Sequence, residues 1–142
     1  MEYSIIIPTY KNYKYCKLTI DSIKKNSLYN HEIIVHINGK DDETENYLVQ
    51  QNIKYTKSSD NIGLCSSVNT AYKKSTLNFI LYSHDDMYFL PGWDKALNDE
   101  VSKLNNDKFY LSLTQIAAHG GVKGSIQHIQ FDCGNAVENF DE

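Results

Sequence analysis

The stretch YSIIIP, residues Tyr3 to Pro8, is a continuous run of apolar and β-branched residues. A strand with one wet face alternates apolar and polar side chains, so a continuous run is typical of a strand buried on both faces. A predicted helix that ends near Asn26 follows, with apolar residues at helical spacing: Tyr13, Cys16, Ile20 and Ile23. The chain therefore opens with a buried strand and a helix.

Strand-like and helix-like segments go on alternating. Further strands are predicted at Glu32 to Asn38, Ile53 to Lys57, Leu77 to Ser83 and Phe109 to Ile116. Between them the sequence predicts a helix opened by Asp42 with Glu45 as a capping box, an amphipathic helix from Leu64 to Tyr72, and one after Pro91 with the stripe Trp93, Leu97, Val101 and Leu104. This order predicts an α/β, Rossmann-like fold: a mostly parallel sheet with helices on both faces.

Length and composition favour one globular domain over residues 1–142. A net charge of −4 argues against a nucleic-acid or anionic-membrane surface. Three widely spaced cysteines without a CxxC indicate neither a disulfide framework nor a cysteine zinc site. The chain shows no signal peptide and no apolar run long enough for a membrane span, so a cytoplasmic location is expected.

The segment FILYSHDDMYF, Phe79 to Phe89, sets a buried strand against two adjacent acids, Asp85 and Asp86. Neighbouring carboxylates repel each other, and a bound cation would offset that repulsion. The alternative is that both acids lie in a solvated turn. Hard cations such as Mg²⁺ or Mn²⁺ accept carboxylate ligands and complete their shell with water and phosphate oxygens. No GxGxxG or P-loop is present to hold phosphates, so the cation would have to neutralise them.

Parallel sheets bind ligands beyond the carboxyl ends of their strands. This rule is expected to bring four segments to one rim: Pro8 to Tyr10, Asn38 with Gly39, Asn61 to Gly63, and His84 to Asp86. The acids of the fourth predicted strand therefore lie where a ligand is expected.

Four motifs in this order, SIIIPTYKN, EIIVHINGKDDET, NIGLCSSVNTAY and FILYSHDDMYFLPGW, resemble the nucleotide-binding half of family 2 glycosyltransferases of the GT-A fold. The resemblance covers roughly residues 1–93. It implies a nucleotide-sugar-binding half over about 1–93 and the start of an acceptor-side half over about 94–142. The implied activity is metal-dependent transfer of a sugar from a nucleotide-diphosphate sugar to an unknown glycan, protein or lipid acceptor.

The resemblance also implies roles for individual residues. Pro8, Thr9 and Tyr10, with Asn38 at the end of the second strand, would border the nucleoside base. Asn61, Gly63 and Asn69 would support the nucleotide. His84 and Asp85 would contact the ribose, and Asp86 would ligate Mn²⁺ or Mg²⁺. Trp93 could stack on the acceptor, and His119 and His128 could be further metal ligands. Structural roles stay open as alternatives, as turn formers, packing groups or solvent-facing side chains, for Tyr10, Asn61, Gly63, Asn69, Trp93, His119 and His128.

Two positions depart from the family pattern. Ile37 stands where the family often has an aspartate that reads a uracil edge, and Asn38 or Asp60 are the nearest polar groups that could do so instead. His84 stands at the first position of the DxD-like motif, where an acid or amide is usual. Imidazole can ligate Mn²⁺ or hydrogen-bond a ribose hydroxyl, but it is a poorer ligand for Mg²⁺.

The catalytic base is not assigned by the sequence. The resemblance places it in an acidic motif just past a segment like GNAVENFDE, which here ends at Glu142. The base is therefore expected beyond Glu142, or is one of Glu138, Asp141 and Glu142, or the domain is inactive. A non-catalytic sugar-nucleotide-binding or interaction domain of the same fold is thus the rival function. A phosphotransfer receiver-like domain is disfavoured, because PTYKN follows the first strand where that design needs acids.

Overall fold

The computed structural model describes residues 1–113 and 136–140 together with the backbone of 115–117 and 128–130. It divides into two compact units, Met1–Ala96 and Leu97–Glu142. The first unit contains the predicted rim.

The first unit is built on four parallel strands in the spatial order β3-β2-β1-β4. The strands are β1 (Ser4–Thr9), β2 (Glu32–Asn38), β3 (Lys54–Ser58) and β4 (Ile80–Tyr82). They alternate with the helices α1 (Tyr13–Asn26), α2 (Asp42–Gln50) and α3 (Leu64–Tyr72), and α4 (Trp93–Val101) follows β4. The predicted α/β fold with a parallel sheet is confirmed.

Helices cover both faces of the sheet, which buries the apolar side chains that each strand points alternately to the two faces. Ile6 and Ile34 are register partners and pack with Ala71 of α3 on one face. Thr9 lies an odd number of residues from Ile6, so it points to the other face, where its side chain meets Cys16 of α1. Burial raises the pKa of the Cys16 thiol to about 12, which keeps it a neutral core group.

The amino end of the sheet is closed by a buried carboxylate. Asp94, fully buried at the start of α4, accepts hydrogen bonds from the backbone N–H of Leu28 (2.7 Å) and Tyr29 (2.8 Å) and from Nε2 of His31 (3.1 Å). Nδ1 of His31 accepts from the N–H of Tyr3, at 3.2 Å. Asp94 therefore ties the segments that precede β1 and β2 to α4.

Trp93 packs at the start of α4. Its ring centroid lies 4.8 Å from that of Phe89, and its indole N–H donates to Oγ of Ser27 at 3.0 Å. These contacts match the packing role that the sequence left open for Trp93.

Three sequence predictions are corrected. The cap of α2 is Asp41, whose carboxylate accepts from the N–H of Thr44 at 3.1 Å, and Asp42 is the first helical residue. Strand β4 covers only Ile80–Tyr82, the residues that lie in register with Ser4, Ile5 and Ile6 of β1. Of the predicted strand Phe109 to Ile116, residues 109–113 are not strand, and Tyr110 is 91% exposed. An exposed alternating segment has no buried face to hold it in a sheet.

The second unit contains two short parallel strands, β5 (Gln115–Ala117) and β6 (His128–Gln130), and a 3₁₀ turn at Val137–Asn139. Across the described residues of the whole chain, no helix combines the length and apolar character that crossing a bilayer requires.

Candidate functional site

The parallel sheet brings the four predicted segments to its carboxyl edge. Tyr10 follows β1 and Gly39 follows β2, while the turn from Asn61 to Gly63 follows β3 and the His84–Asp86 loop follows β4. All four strands run in the same direction, so these ends share one edge. We call this edge the rim.

Tyr10 lies exposed on the rim beside Gly39. A Cβ atom at Gly39 would lie 3.4 Å from Cε2 of the Tyr10 ring, and Gly39 has φ +98°. Because Gly39 has no side chain, the Tyr10 ring can pack against the backbone of the turn after β2. An open pocket of about 490 Å³ adjoins the ring and is lined by Tyr10, Lys11, Gly39, Lys40, Asp42, Ser59, Asp60 and Asn61. An exposed ring at the edge of a pocket suits stacking against a planar base.

Asn38 and Asn61 use their amides to build the rim. The Nδ2 of Asn38 donates to Oδ1 of Asn61 at 2.9 Å, and Oδ1 of Asn38 accepts from the N–H of Ile62 at 2.8 Å. Oδ1 of Asn61 also accepts from the N–H of Gly63, at 2.9 Å. These bonds fasten the turn before α3 to the end of β2. They favour the turn-forming role for Asn61 and Gly63; their contact with a nucleotide stays a prediction.

A buried histidine that sequence reasoning missed supports the same turn. His36 of β2 is fully buried, with Nδ1 2.8 Å from Oγ1 of Thr56 and Nε2 3.3 Å from Oγ of Ser58. Burial lowers the pKa of His36, so the imidazole is neutral. The hydroxyl of Ser58 donates to the carbonyl of Asp60 at 2.7 Å. The signal in the sequence was the pair of hydroxyls at alternate positions of β3, opposite His36 and Asn38.

The carboxylates of the two acids after β4 have no hydrogen-bond or ion-pair partner among the described residues. Asp86 is exposed and Asp85 half-buried. Burial raises the pKa of the neighbouring Tyr82 hydroxyl, and the negative charges of Asp85 and Asp86 raise it further. The loop therefore carries negative charge that no described residue offsets by a hydrogen bond or ion pair, which suits a cation site.

His84 is exposed on the same loop. Its Nε2 lies 3.3 Å from the hydroxyl of Tyr82, and the two ring centroids are 5.2 Å apart. Among the residues whose side chains the structure describes, no three histidines, cysteines or carboxylates cluster closely enough to form a complete metal site. Two carboxylates that leave the remaining positions to water and phosphate oxygens are nevertheless a common arrangement for Mg²⁺.

The remaining predicted residues differ in accessibility. Pro8 and Thr9 are buried in β1, and the Thr9 hydroxyl makes no hydrogen bond of standard geometry to any described residue. Their side chains therefore do not line an open pocket, and their role at the base stays a prediction. Asn69 is exposed on α3. Ile37, the position of the expected base-reading acid, is only 2% exposed and is the register partner of Thr9.

The candidates for the catalytic base are described only in part. Glu138 lies in the 3₁₀ turn of the second unit, whereas Asp141 and Glu142 fall outside the described residues. His119 also falls outside them, and only the backbone of His128 is described. The identity of the base stays a prediction.

Comparison with known proteins decides the family. The sequence model of glycosyl transferase family 2 matches residues 4–139. The chain belongs to this family. No curated protein matches the sequence of this family 2 domain.

Solved structures confirm the GT-A fold of this family 2 domain. S. aureus TarS 1-349 superposes with a TM-score of 0.73 at 23% identity over 86% of this chain and 38% of that fragment. The same fragment solved in complex with UDP gives the same values. The mannosyltransferase PcManGT from Pyrobaculum calidifontis, in complex with GDP-Man and Mn²⁺, superposes at 0.63 and 17% identity over 81% of this chain and 34% of that protein. The family 2 domain thus spans less than two fifths of the length of these structures.

Proposed function

We propose that this family 2 domain binds a nucleotide-diphosphate sugar through Mn²⁺ or Mg²⁺ and transfers the sugar to a glycan, protein or lipid acceptor. The observation that carries the proposal is the pair of adjacent rim acids, Asp85 and Asp86, to which no described residue donates a hydrogen bond. Adjacent like charges on one loop repel each other, and a bound cation would offset that repulsion. Two solved relatives of the fold were captured with UDP and with GDP-Man and Mn²⁺.

Each rim element has a part in this proposal. Asp86 would hold the cation, with Asp85 and His84 beside it at the ribose. The base would stack on Tyr10, next to Pro8 and Thr9. Asn38, Asn61 and Gly63 would shape the wall of the pocket, and Asn69 on α3 would face the nucleotide.

When bound, the cation would neutralise the diphosphate as its bond to the sugar breaks. The lysines of the rim would add to that neutralisation. Lys11 and Lys40 both line the pocket, and Nζ of Lys11 lies 5.4 Å from the centroid of the Tyr10 ring. A carboxylate would take the proton of the acceptor hydroxyl as its oxygen attacks the anomeric carbon.

Calorimetric titration with UDP and GDP tests the proposal. In Mn²⁺ we expect saturable binding of at least one nucleotide, and in EDTA we expect that binding to be lost or strongly weakened. Absence of metal-dependent binding of either nucleotide would reject the proposed donor site.

The rival proposal is a non-catalytic sugar-nucleotide-binding or interaction domain. It draws on His84, whose imidazole replaces the usual acid and contacts Tyr82 instead. Hydrolysis of sugar nucleotides, assayed on this chain and on any longer natural form, separates the two proposals. Turnover by either form supports a transferase, whereas silence from both, with binding intact, supports the rival.

A further inference from the structure

The pocket beside Tyr10 contains a carboxylate with no role in the assembly of the cation site. We propose that Asp60 reads the nucleotide base, by accepting a hydrogen bond from the ring N–H of uracil or guanine. This inference rests on the proposed nucleotide site and names the chemical class of its ligand.

The two positions nearest to the expected base reader are both excluded. Ile37 is an apolar side chain buried on the α1 face of the sheet, alongside Thr9. Asn38 is buried, and both polar atoms of its amide are already bonded, to Asn61 and to the N–H of Ile62. Neither residue can offer an acceptor to a base without breaking the rim.

Asp60 is exposed, lines the same pocket as Tyr10, and sits on a fixed turn. Its carbonyl accepts from Oγ of Ser58 at 2.7 Å, and its Oδ2 accepts from Oγ of Ser59 at 2.8 Å. Two neighbouring hydroxyls therefore hold both the backbone and the carboxylate of Asp60. A carboxylate held in one place discriminates better than a mobile one, because less order is lost on binding.

His36 fixes the orientation of the Ser58 hydroxyl, which lies 3.3 Å from its Nε2. The hydroxyl proton of Ser58 is donated to Asp60, so Oγ of Ser58 can only accept from His36. The neutral imidazole therefore carries its proton on Nε2 and leaves Nδ1 to accept from the hydroxyl of Thr56. His36 is thus a positioning residue for the turn that presents Asp60.

A carboxylate only accepts hydrogen bonds, and this decides which bases fit. Uracil carries an N–H at N3, and guanine carries one at N1 beside its amino group. Cytosine has a lone pair at N3, which an anionic oxygen repels, so its only donor on this edge is the N4 amino group beside that lone pair. A site built around a polar contact rejects an analogue that lacks the matching group. The domain is therefore expected to favour UDP and GDP over CDP.

Competition of UDP, GDP and CDP for one site in Mn²⁺ tests the inference, with the wild-type chain, Asp60→Asn and a control, Asp42→Asn. Asp42 also lines the pocket but pairs with Lys40 at 3.5 Å. We expect the wild type and the control to prefer UDP over CDP by about tenfold. Asp60→Asn, whose amide can also donate to cytosine N3, should reduce that preference to within about threefold.

A wild type that binds UDP and CDP equally, or an Asp60→Asn variant that keeps the full preference, would overturn the role of Asp60 and leave the nucleotide site standing. If no nucleotide binds the wild type, the proposed function itself fails, and this inference fails with it. Ser58→Ala tests the positioning separately: we expect it to weaken the UDP preference, and Ser58→Thr, which keeps the hydroxyl, to restore it.

Discussion

The two ends of the central sheet both carry carboxylates, but the described residues supply hydrogen-bond donors only to those at the amino end. At the amino end, Glu32 accepts from the hydroxyl of Ser4, from Lys54, and from the N–H (2.9 Å) and hydroxyl (2.8 Å) of Thr76. At the carboxyl end, no described residue offers a hydrogen bond to Asp85 or Asp86. The same chemical group therefore holds the fold at one end, and at the other end, where it has no donor among the described residues, we propose that it binds a cation.

Asp94 is a second acid at the amino end whose carboxylate accepts hydrogen bonds from the protein. Burial alone would raise its pKa, but hydrogen bonds from Tyr29, His31, Leu28 and Lys95 outweigh burial, and the pKa of Asp94 is lowered. A buried carboxylate with a lowered pKa stabilises the folded state in its charged form. Hydrogen bonding to the protein, more than burial or position in the sequence, therefore marks an acid of this sheet as structural.

The largest expected effect is on stability, at Asp94. Asp94→Ala removes a buried acceptor and leaves the N–H groups of Leu28 and Tyr29 without a partner, so it should lower the free energy of unfolding by about 3 kcal/mol or more. Urea unfolding measures this change. Asp86→Ala, the matched change at the other end, should shift the free energy of unfolding by less than about 0.5 kcal/mol. Equal losses of unfolding free energy in the two variants would contradict the difference between the two ends of the sheet.

The second effect is on binding, at Asp86. Asp86→Ala should reduce nucleotide affinity in Mn²⁺ by about a hundredfold, because it would remove the proposed direct ligand of the cation. Glu2→Ala, which removes an exposed acid from the amino end, should leave the affinity unchanged. Calorimetry of both folded variants measures the difference. A folded Asp86→Ala variant with wild-type affinity would refute the metal assignment.

The third effect is a pH dependence that belongs to Glu32. Burial opposes its charge, but hydrogen bonds from Lys54, Ser4 and Thr76 lower the pKa of Glu32 from 4.5 to about 2. The stabilisation is therefore complete above pH 4.5 and is lost as the pH falls towards about 2, because the unfolded chain binds the proton first. We expect it to amount to about 2 kcal/mol after screening of the half-exposed Lys54.

Urea unfolding at several pH values, on the wild type and on Glu32→Gln, measures this dependence. The variant cannot titrate at position 32, so its free energy of unfolding should vary less between about pH 5 and pH 3. Parallel pH profiles for the two proteins would contradict the pairing of Glu32.

The smallest effect concerns Gly39 beneath Tyr10. Gly39→Ala forces a side chain into a backbone at φ +98° and against the Tyr10 ring, so nucleotide affinity should fall by about fivefold, or about 1 kcal/mol. Gly92→Ala is the matched control, because Gly92 has φ +76° but nothing within 4 Å of an added Cβ. Both variants should lose similar stability, and only the first should lose affinity. Equal nucleotide affinities of the two variants would contradict a contact between Tyr10 and the nucleotide.

The sequence correctly predicted the strands and helices that a short-range residue pattern specifies. The continuous apolar runs of β1 and β2 and the helical spacing of α1 were read correctly, because burial on both faces leaves a mark at every residue. Residues 109–113 were wrongly predicted as strand, because alternation alone does not show whether a partner strand exists. The bonds of His31 to Asp94 and of His36 to Ser58 were missed, because each joins residues far apart in the chain.

The sequence predicted the position of the rim but not the side-chain contacts within it. The order of strands and loops brought Tyr10, Asn61 and the two acids to one edge, as the rule for parallel sheets requires. The rule does not show that the amides of Asn38 and Asn61 bond to each other, or that Ile37 points into the core. Those facts depend on side-chain packing between elements, which no local pattern records.

Paramagnetic broadening by Mn²⁺ in the amide NMR spectrum tests the contrast between the two ends most directly. With UDP or GDP present, substoichiometric Mn²⁺ should broaden the signals of the carboxyl end, from His84 to Asp86, and leave those of Glu32, Thr76 and Asp94 sharp. Asp86→Ala should abolish the selective broadening. Broadening centred on the amino-end acids, or spread evenly over the chain, would contradict the assignment of the rim as the cation and nucleotide site.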